Sequence, residues 1–225
     1  RNSLLKSVEL LKEKTSESGS KIQEYVDNQN ELQNDYRMKE TRHRFLVETE
    51  REKEGYNRTV KELLLATEKN TDLKKGMHGV LANLISVKDE YSTAIEMTLG
   101  SSLQNIVTDT EETAKKLVNF LRENKLGRAS FLPITSMKGQ KISKVNTKGI
   151  NGFIGIAADL ISFDKKYEQI IFNLLGRTVI VDNMDTAIAI SKLNSYTFKV
   201  VTLDGDVINP SGSITGGSVA KKTVN

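Results

Sequence analysis

"LISVKDEY" at 84–91 returns at 160–167 as "LISFDKKY". The echo runs from 79–100 onto 155–176 at a constant offset of 76, and nine of the 22 aligned positions are identical. They are Gly79, Ala82, Leu84, Ile85, Ser86, Tyr91, Ile95, Leu99 and Gly100 with their counterparts. Chance similarity would not keep both flanking glycines together with the apolar positions between them. In each copy a glycine leads into a short apolar stretch. Tyr91, Ile95 and Leu99, like Tyr167, Ile171 and Leu175, then fall at i, i+4 and i+8 on one helical face. Gly100 and Gly176 stand where a helix would end in the left-handed conformation.

Working outward, a strand follows each helix, "NIVTD" (105–109) and "VIVDN" (179–183). Asp109 and Asp182 then precede a second helix and suit a capping role better than a catalytic one. Each copy closes on another strand, "ASFLPI" (129–134) and "FKVVTL" (198–203). The offset falls from 76 to 73 to 70 along the way, which two short loop deletions explain. The pattern predicts two α/β halves related by a pseudo-twofold axis, the product of a duplication. Between them, "KGQKISKVNTKG" (138–149) carries four lysines and no acid and reads as a solvated linker that could touch phosphate. In the tail "LDGDVINPSGSITGGS" (203–218), Asp204-Gly205 is a hairpin signal. The cluster Gly212, Gly216 and Gly217 either relaxes the backbone or lets another backbone approach closely.

Upstream the physics changes near residue 75. Residues 1–75 are charged at 31 positions, as many as the 150 that follow, with 16 Lys/Arg against 15 Asp/Glu, and hold two of the 15 glycines and neither proline. That composition reads as exposed helix. Heptad steps from Leu4 through Val8, Leu11, Ile22, Tyr25, Leu32, Tyr36, Leu46, Val60 and Leu64 place apolar residues at 10 of 21 sites, where the segment has 21 in 75. A narrow apolar seam on a charged rod is what a coiled coil requires. The rod would span about 110 Å if helical throughout, and "SESGS" (16–20) is its expected break.

Chemistry is hard to find. No cysteine is present, which excludes disulfides and thiolate metal sites. No run of about 20 apolar residues suggests a membrane span. "GSITGG" lacks the lysine and the strand-to-helix setting of a phosphate loop. His43 and His78 have no partner at ligand spacing, and a Ser-His-Asp triad would have to recruit one of them. The net charge of +4 is mild, so attraction to nucleic acid would need local patches.

Taken in order, the charged arm, "GMHGVLANLISVKDEYSTAIEMTLGSSLQNIV", "GRASFLP" and "DGDVINPSGSITGGS" closely resemble the hinge of bacterial SMC proteins, the chromosome condensation and partition family. "EGYNRTVKELL" (54–64) resembles the arm just before that hinge. The resemblance implies an α+β fold: a coiled-coil arm over 1–75, hinge halves with mixed sheets at 76–137 and 152–218, a basic linker at 138–151, and a returning arm from 219. It implies a homodimer in which half one of each protomer meets half two of the other. Gly212, Gly216 and Gly217 match the family's interface stretch, with Ser211 where a glycine is common and Ile214 between them. Weak, sequence-blind contact with double-stranded DNA is expected at Lys221 and Lys222, and at Lys74 and Lys75 if the arms leave side by side. The resemblance further implies no catalysis and no cofactor in this stretch, ATP and Mg²⁺ belonging to a head domain built from other segments. It also implies an antiparallel return helix against the arm and a cytoplasmic, nucleoid-associated location without membrane contact. Two other readings stay open on the residues alone, a DNA-binding module whose dimerisation is incidental and a small-molecule-binding duplicated α/β domain; the latter would need a deep polar pocket.

Overall fold

A computed structural model of the chain describes residues 2–51, 53 and 55–217. It divides into two compact units, Arg1–Gly55 and Tyr56–Asn225.

The first unit is one helix, α1 (Asn2–Arg51). It runs without a break through 16–20, contrary to the expectation for "SESGS". One interior glycine costs a helix only about 1 kcal/mol, and the flanking hydroxyls fold back onto the ladder: Thr15 Oγ1 donates to the Leu11 carbonyl at 2.7 Å and Ser20 Oγ to that of Ser16 at 3.2 Å. The interruption falls later, where Lys53 (φ 52°) and Gly55 (φ 96°) leave helical space. Along the described helix the apolar seam is exposed, Leu4 and Tyr25 at 71% and Leu32 at 64%.

In the second unit, α2 (Arg58–Lys69) and α3 (Thr71–Lys74) come first, each capped by an asparagine: Asn57 Oδ1 accepts from Val60 N and Asn70 Oδ1 from Leu73 N, both at 3.0 Å. Half one continues with β1 (Met77–Val80), β2 (Ile85–Val87), α4 (Asp89–Leu99), β3 (Ile106–Thr108), α5 (Glu111–Glu123) and β4 (Phe131–Pro133). Half two repeats the order with β5 (Phe153–Ile156), β6 (Ile161–Phe163), α6 (Glu168–Leu175), β7 (Thr178–Val181), α7 (Met184–Leu193) and β8 (Lys199–Thr202), then adds β9 (Val207–Ile208) and β10 (Ile214–Thr215).

The duplication is written into the hydrogen-bonding pattern. The sheet of half one is ordered β1-β3-β4, antiparallel then parallel, and β5-β7-β8 repeats it. β2 and β6 pair antiparallel, Ile85 with Phe163, Ser86 with Ser162 and Val87 with Ile161. Because Ser162 is Ser86 displaced by 76, the ribbon is its own pseudo-twofold mate, and the axis passes between the two serines. The sheets are mixed and open, as expected for the fold class.

Glycine and aspartate lock the start of each half identically. Asp109 N donates to the Gly76 carbonyl at 2.8 Å and Asp182 N to that of Gly152 at 3.0 Å. Both glycines have positive φ, 81° and 94°, and a Cβ on either would meet the aspartate carboxylate at 2.6 and 2.3 Å. These aspartates are therefore not the helix caps. Thr110 caps α5 and Asn183 caps α7, one residue later in each half. Nor does either glycine end its helix in the left-handed conformation: Gly100 has a positive φ of 50° but a ψ of −127°, and Gly176 has φ −64°, where a Cβ would lie 2.6 Å from the Gln140 carbonyl oxygen. Close approach demands that glycine.

A central core draws on both halves, Leu81, Ile95 and Leu99 meeting their equivalents Ala157, Ile171 and Leu175. Two flanking cores are covered differently. In half one, Val60, Leu63 and Leu73 of α2 and α3 pack on Ile106, Leu117 and Leu121. Residues 58–74, read from sequence as the end of the arm, thus sit within the second unit. In half two, no helix occupies that place. The segment 138–151 does, setting Ile142, Val145 and Ile150 against Val179, Ile190 and Phe198. It is not a solvated linker but a strap. Asn173 Nδ2 donates to the Lys138 carbonyl at 2.7 Å, Ile142 N to that of Gly176 at 2.9 Å, and Asn194 exchanges two hydrogen bonds of 2.9 Å with the Asn146 backbone.

Candidate interaction surface

The glycine-rich tail forms a hairpin on the outer edge of half two. β8 turns into β9 at Gly205 (φ 94°), and Thr202 N donates to the Asp206 carbonyl at 2.9 Å. β9 pairs with β10, Ile208 opposite Ile214 and Val207 opposite Thr215. The turn between them is closed by Asn209 N to the Ser213 carbonyl at 2.9 Å and Gly212 N to that of Asn209 at 2.8 Å. Ser211 and Ser213 share a hydroxyl contact of 3.1 Å.

β10 is the last strand of a five-stranded sheet, so its far edge carries no strand among the described residues. Ile214 is 57% exposed, a large apolar side chain on a bare sheet edge. The glycines differ in what surrounds them. Gly212 (φ 82°) and Gly217 (φ 140°) face open space, whereas a Cβ on Gly216 would sit 2.3 Å from Asp206 Oδ1. That carboxylate also accepts from Gly217 N at 3.2 Å. Packing within the chain therefore already requires a glycine at 216.

Half one has nothing equivalent. Its sheet ends at β4. Ile106 N donates to the Ser130 carbonyl and Ile134 N to that of Thr108, both at 2.9 Å, so even-numbered residues of β4 face β3. The backbone of Phe131 then points outward. Pro133 has no N–H, and its carbonyl already accepts from Ser136 and Met137. This edge offers one residue's donor and acceptor, enough for a strand as short as β10.

Lys74 and Lys75 are exposed at the end of α3, before β1, in half one; the hairpin caps half two. Lys221 and Lys222 lie outside the described residues. Among the described residues no group of three or more histidines and carboxylates is placed to hold a metal, and no helix is long and apolar enough to cross a membrane. His78 turns out to bridge the halves, its Nδ1 lying 3.0 Å from the hydroxyl of buried Tyr167 with the rings edge to face. Nothing local to His78 announces that contact. The Thr113 hydroxyl, bonded to Asp109, holds that carboxyl below the ordinary range despite partial desolvation. The Thr135 hydroxyl does the same for Glu111, at 2.5 Å.

The model of the SMC proteins Flexible Hinge Domain family matches residues 74–191, more than half of the sequence. The chain belongs to the SMC hinge family. It is 37% identical over 233 aligned positions to the chromosome partition protein Smc of Clostridium kluyveri, covering 100% of this chain and 20% of that protein. With the Smc of Desulfitobacterium hafniense it shares 42% over 196 positions, 87% of this chain and 16% of that protein. The sequence thus spans a fifth or less of these relatives. Among solved structures, an asymmetric dimer of the Geobacillus stearothermophilus SMC hinge domain matches at TM-score 0.74 and 37% identity, covering 84% of this chain and 77% of that one. The Pyrococcus furiosus Smc hinge domain with an extended coiled coil matches at 0.59 and 34%, covering 81% and 63%. The hinge is a non-catalytic region of SMC proteins.

Proposed function

We propose that this hinge joins two copies of its chain, half one of each protomer against half two of the other, as the dimerisation element of a chromosome condensation and segregation ATPase. The observation that carries this reading is the unequal finish of two otherwise equivalent sheets. One ends on an open edge at β4, and the other on an added hairpin whose outer strand is exposed. A protomer with two complementary ends closes with its twin through a twofold axis and leaves neither edge bare. In this reading β10 of one protomer adds to β4 of the other through the Phe131 backbone. Ile214, Ser211 and Gly212 lie in the contact, and Gly217 and Gly216 let the chain turn away from it. The solved Geobacillus stearothermophilus hinge, described as a dimer, supports self-association.

The exposed seam of α1 takes the antiparallel return helix of its own arm, and the head domain at the far end of that arm holds ATP and Mg²⁺. Lys74 and Lys75, with Lys221 and Lys222, contact double-stranded DNA as point charges on phosphate. Binding there is weak, indifferent to sequence and steeply salt-dependent. The working location is the cytoplasm, on the nucleoid.

Mass in solution tests the dimer. Ile214→Glu places a charge on the bare edge while leaving every described backbone hydrogen bond in place, and should yield monomers where the native chain gives dimers. A variant as dimeric as the native chain would contradict the assigned interface. Gly216→Glu is the poorer probe, because its collision with Asp206 disturbs the protomer itself.

A further inference from the structure

From 124 to 158 the chain holds six cations, Lys125, Arg128, Lys138, Lys141, Lys144 and Lys148, and no acid. Since the whole chain has a net charge of +4, the other 190 residues sum to −2, and the entire positive surplus lies in this one segment. Four of the six belong to the strap. There the alternation of side chains is set by packing: Ile142, Val145 and Ile150 turn in against the core of half two, while Lys138, Lys141, Lys144 and Lys148 are exposed. Lys141 is spoken for, pairing with Asp159 at 2.8 Å with its ammonium over the Phe172 ring. Lys138, Lys144 and Lys148 carry no ion pair among the described residues.

We infer that the strap is a second phosphate-binding surface for duplex nucleic acid, on half two and separate from the lysines at the arm junction. A loop tied down at Lys138, Gly139, Ile142 and Asn146 presents its ammonium groups from an ordered backbone, so the ordering entropy of the chain is already met before a ligand arrives. Compact ammonium groups without bidentate geometry favour phosphate over base edges, which makes the contact blind to sequence. A dimer would carry two copies of the strap, and a duplex that reached both would gain from the linkage. The inference shares its ligand class with the junction reading above but stands on different residues.

The test is the salt dependence of binding to a labelled duplex of mixed sequence, followed by fluorescence anisotropy from about 50 mM to about 200 mM salt. Lys138→Gln/Lys144→Gln/Lys148→Gln in the full 225-residue chain should weaken binding at the low-salt end by about tenfold. It should also flatten the slope of log K against log salt by about three, near one for each phosphate no longer neutralised. The corresponding triple Arg variant should bind like the native chain, which separates charge from any change in the strap's fold; solution mass confirms that each variant keeps the native oligomeric state. A Gln variant that binds within about twofold of native with an unchanged slope overturns the inference. Lys74→Gln/Lys75→Gln, run alongside, keeps the two sites apart: loss confined to it refutes the strap and spares the junction, and loss confined to the strap variant does the reverse. A native chain with no duplex affinity at low salt refutes both.

Discussion

Half one and half two share an element order, a sheet topology and a glycine-aspartate lock, yet differ wherever they meet something outside the repeat. A helical base, α2 and α3, covers the outer core of half one, and an irregular strap covers that of half two. One sheet stops at β4, and the other continues into β9 and β10. The lesson is that duplication supplied two equivalent cores, and divergence worked on the coverings and the edges. Identical edges could meet only their own kind. Unequal edges on a common frame are what the proposed pairing of half one with half two requires.

The sharpest way to break this comparison is through the coverings. Leu63 of α2 is fully buried against the core of half one, so Leu63→Ala should cost about 2–5 kcal/mol in chemical denaturation. Ile142→Ala in the half-buried strap should cost clearly less. Equal losses would mean that the strap is as integral to its core as the helix is. Next in size, the shared lock should respond alike in both halves. Gly76→Ala and Gly152→Ala each force a Cβ into a carboxylate at positive φ and should each destabilise by about 2 kcal/mol. A difference of more than about 1 kcal/mol between them would show that the halves are not mechanically equivalent.

Smaller still is the clamp on the strap. Asn194→Ala removes both bonds to the Asn146 backbone and should cost about 1–2 kcal/mol, with faster amide exchange confined to 138–151. The smallest effect is that of pH. Asp109 and Glu111 have carboxyls depressed by hydroxyl donors, so their contribution is fully present above the ordinary carboxylate range and is lost as pH falls through the depressed values. Stability should decline on acidification from that range downward, and Thr113→Val should reduce the decline. In half two the position equivalent to Thr113 is Thr186, whose hydroxyl donates to the Asn151 carbonyl at 3.4 Å and not to a carboxylate, so Thr186→Val should leave the acid limb unchanged.

Much of this architecture could be read from the residues because it rests on local signals. The repeat, the helices carrying Ile95 and Ile171, the strands at 105–109 and 179–183, and the Asp204-Gly205 hairpin each follow from period or turn chemistry. What could not be read depended on contacts distant in sequence. Asp109 and Thr110 are both competent caps, and the choice between them is made by Gly76, 33 positions upstream. Val60 and Leu64 continue the heptad of the arm, but a stripe does not say which surface it will meet, and half one takes Val60. Ile142, Val145 and Ile150 follow neither a helical nor a strand period, so the strap looked like linker. At the proposed interface, the glycine cluster was visible as a motif, whereas the outward-facing backbone of Phe131 emerges only from the parity of β4 against β3. Ser211 and Gly212 stand on the turn between β9 and β10, while the constraint on Gly216 comes from Asp206 within the same chain.

The absence of native cysteine allows the central claim to be tested with single introduced thiols. Chains carrying Phe131→Cys and chains carrying Ile214→Cys would be mixed, allowed to exchange and treated with a short bis-maleimide. Complementary ends require a covalent dimer from the mixture and almost none from either variant alone. Cross-linking of Ile214→Cys with itself, or none in a mixture that remains dimeric by mass, would contradict the pairing of half one with half two.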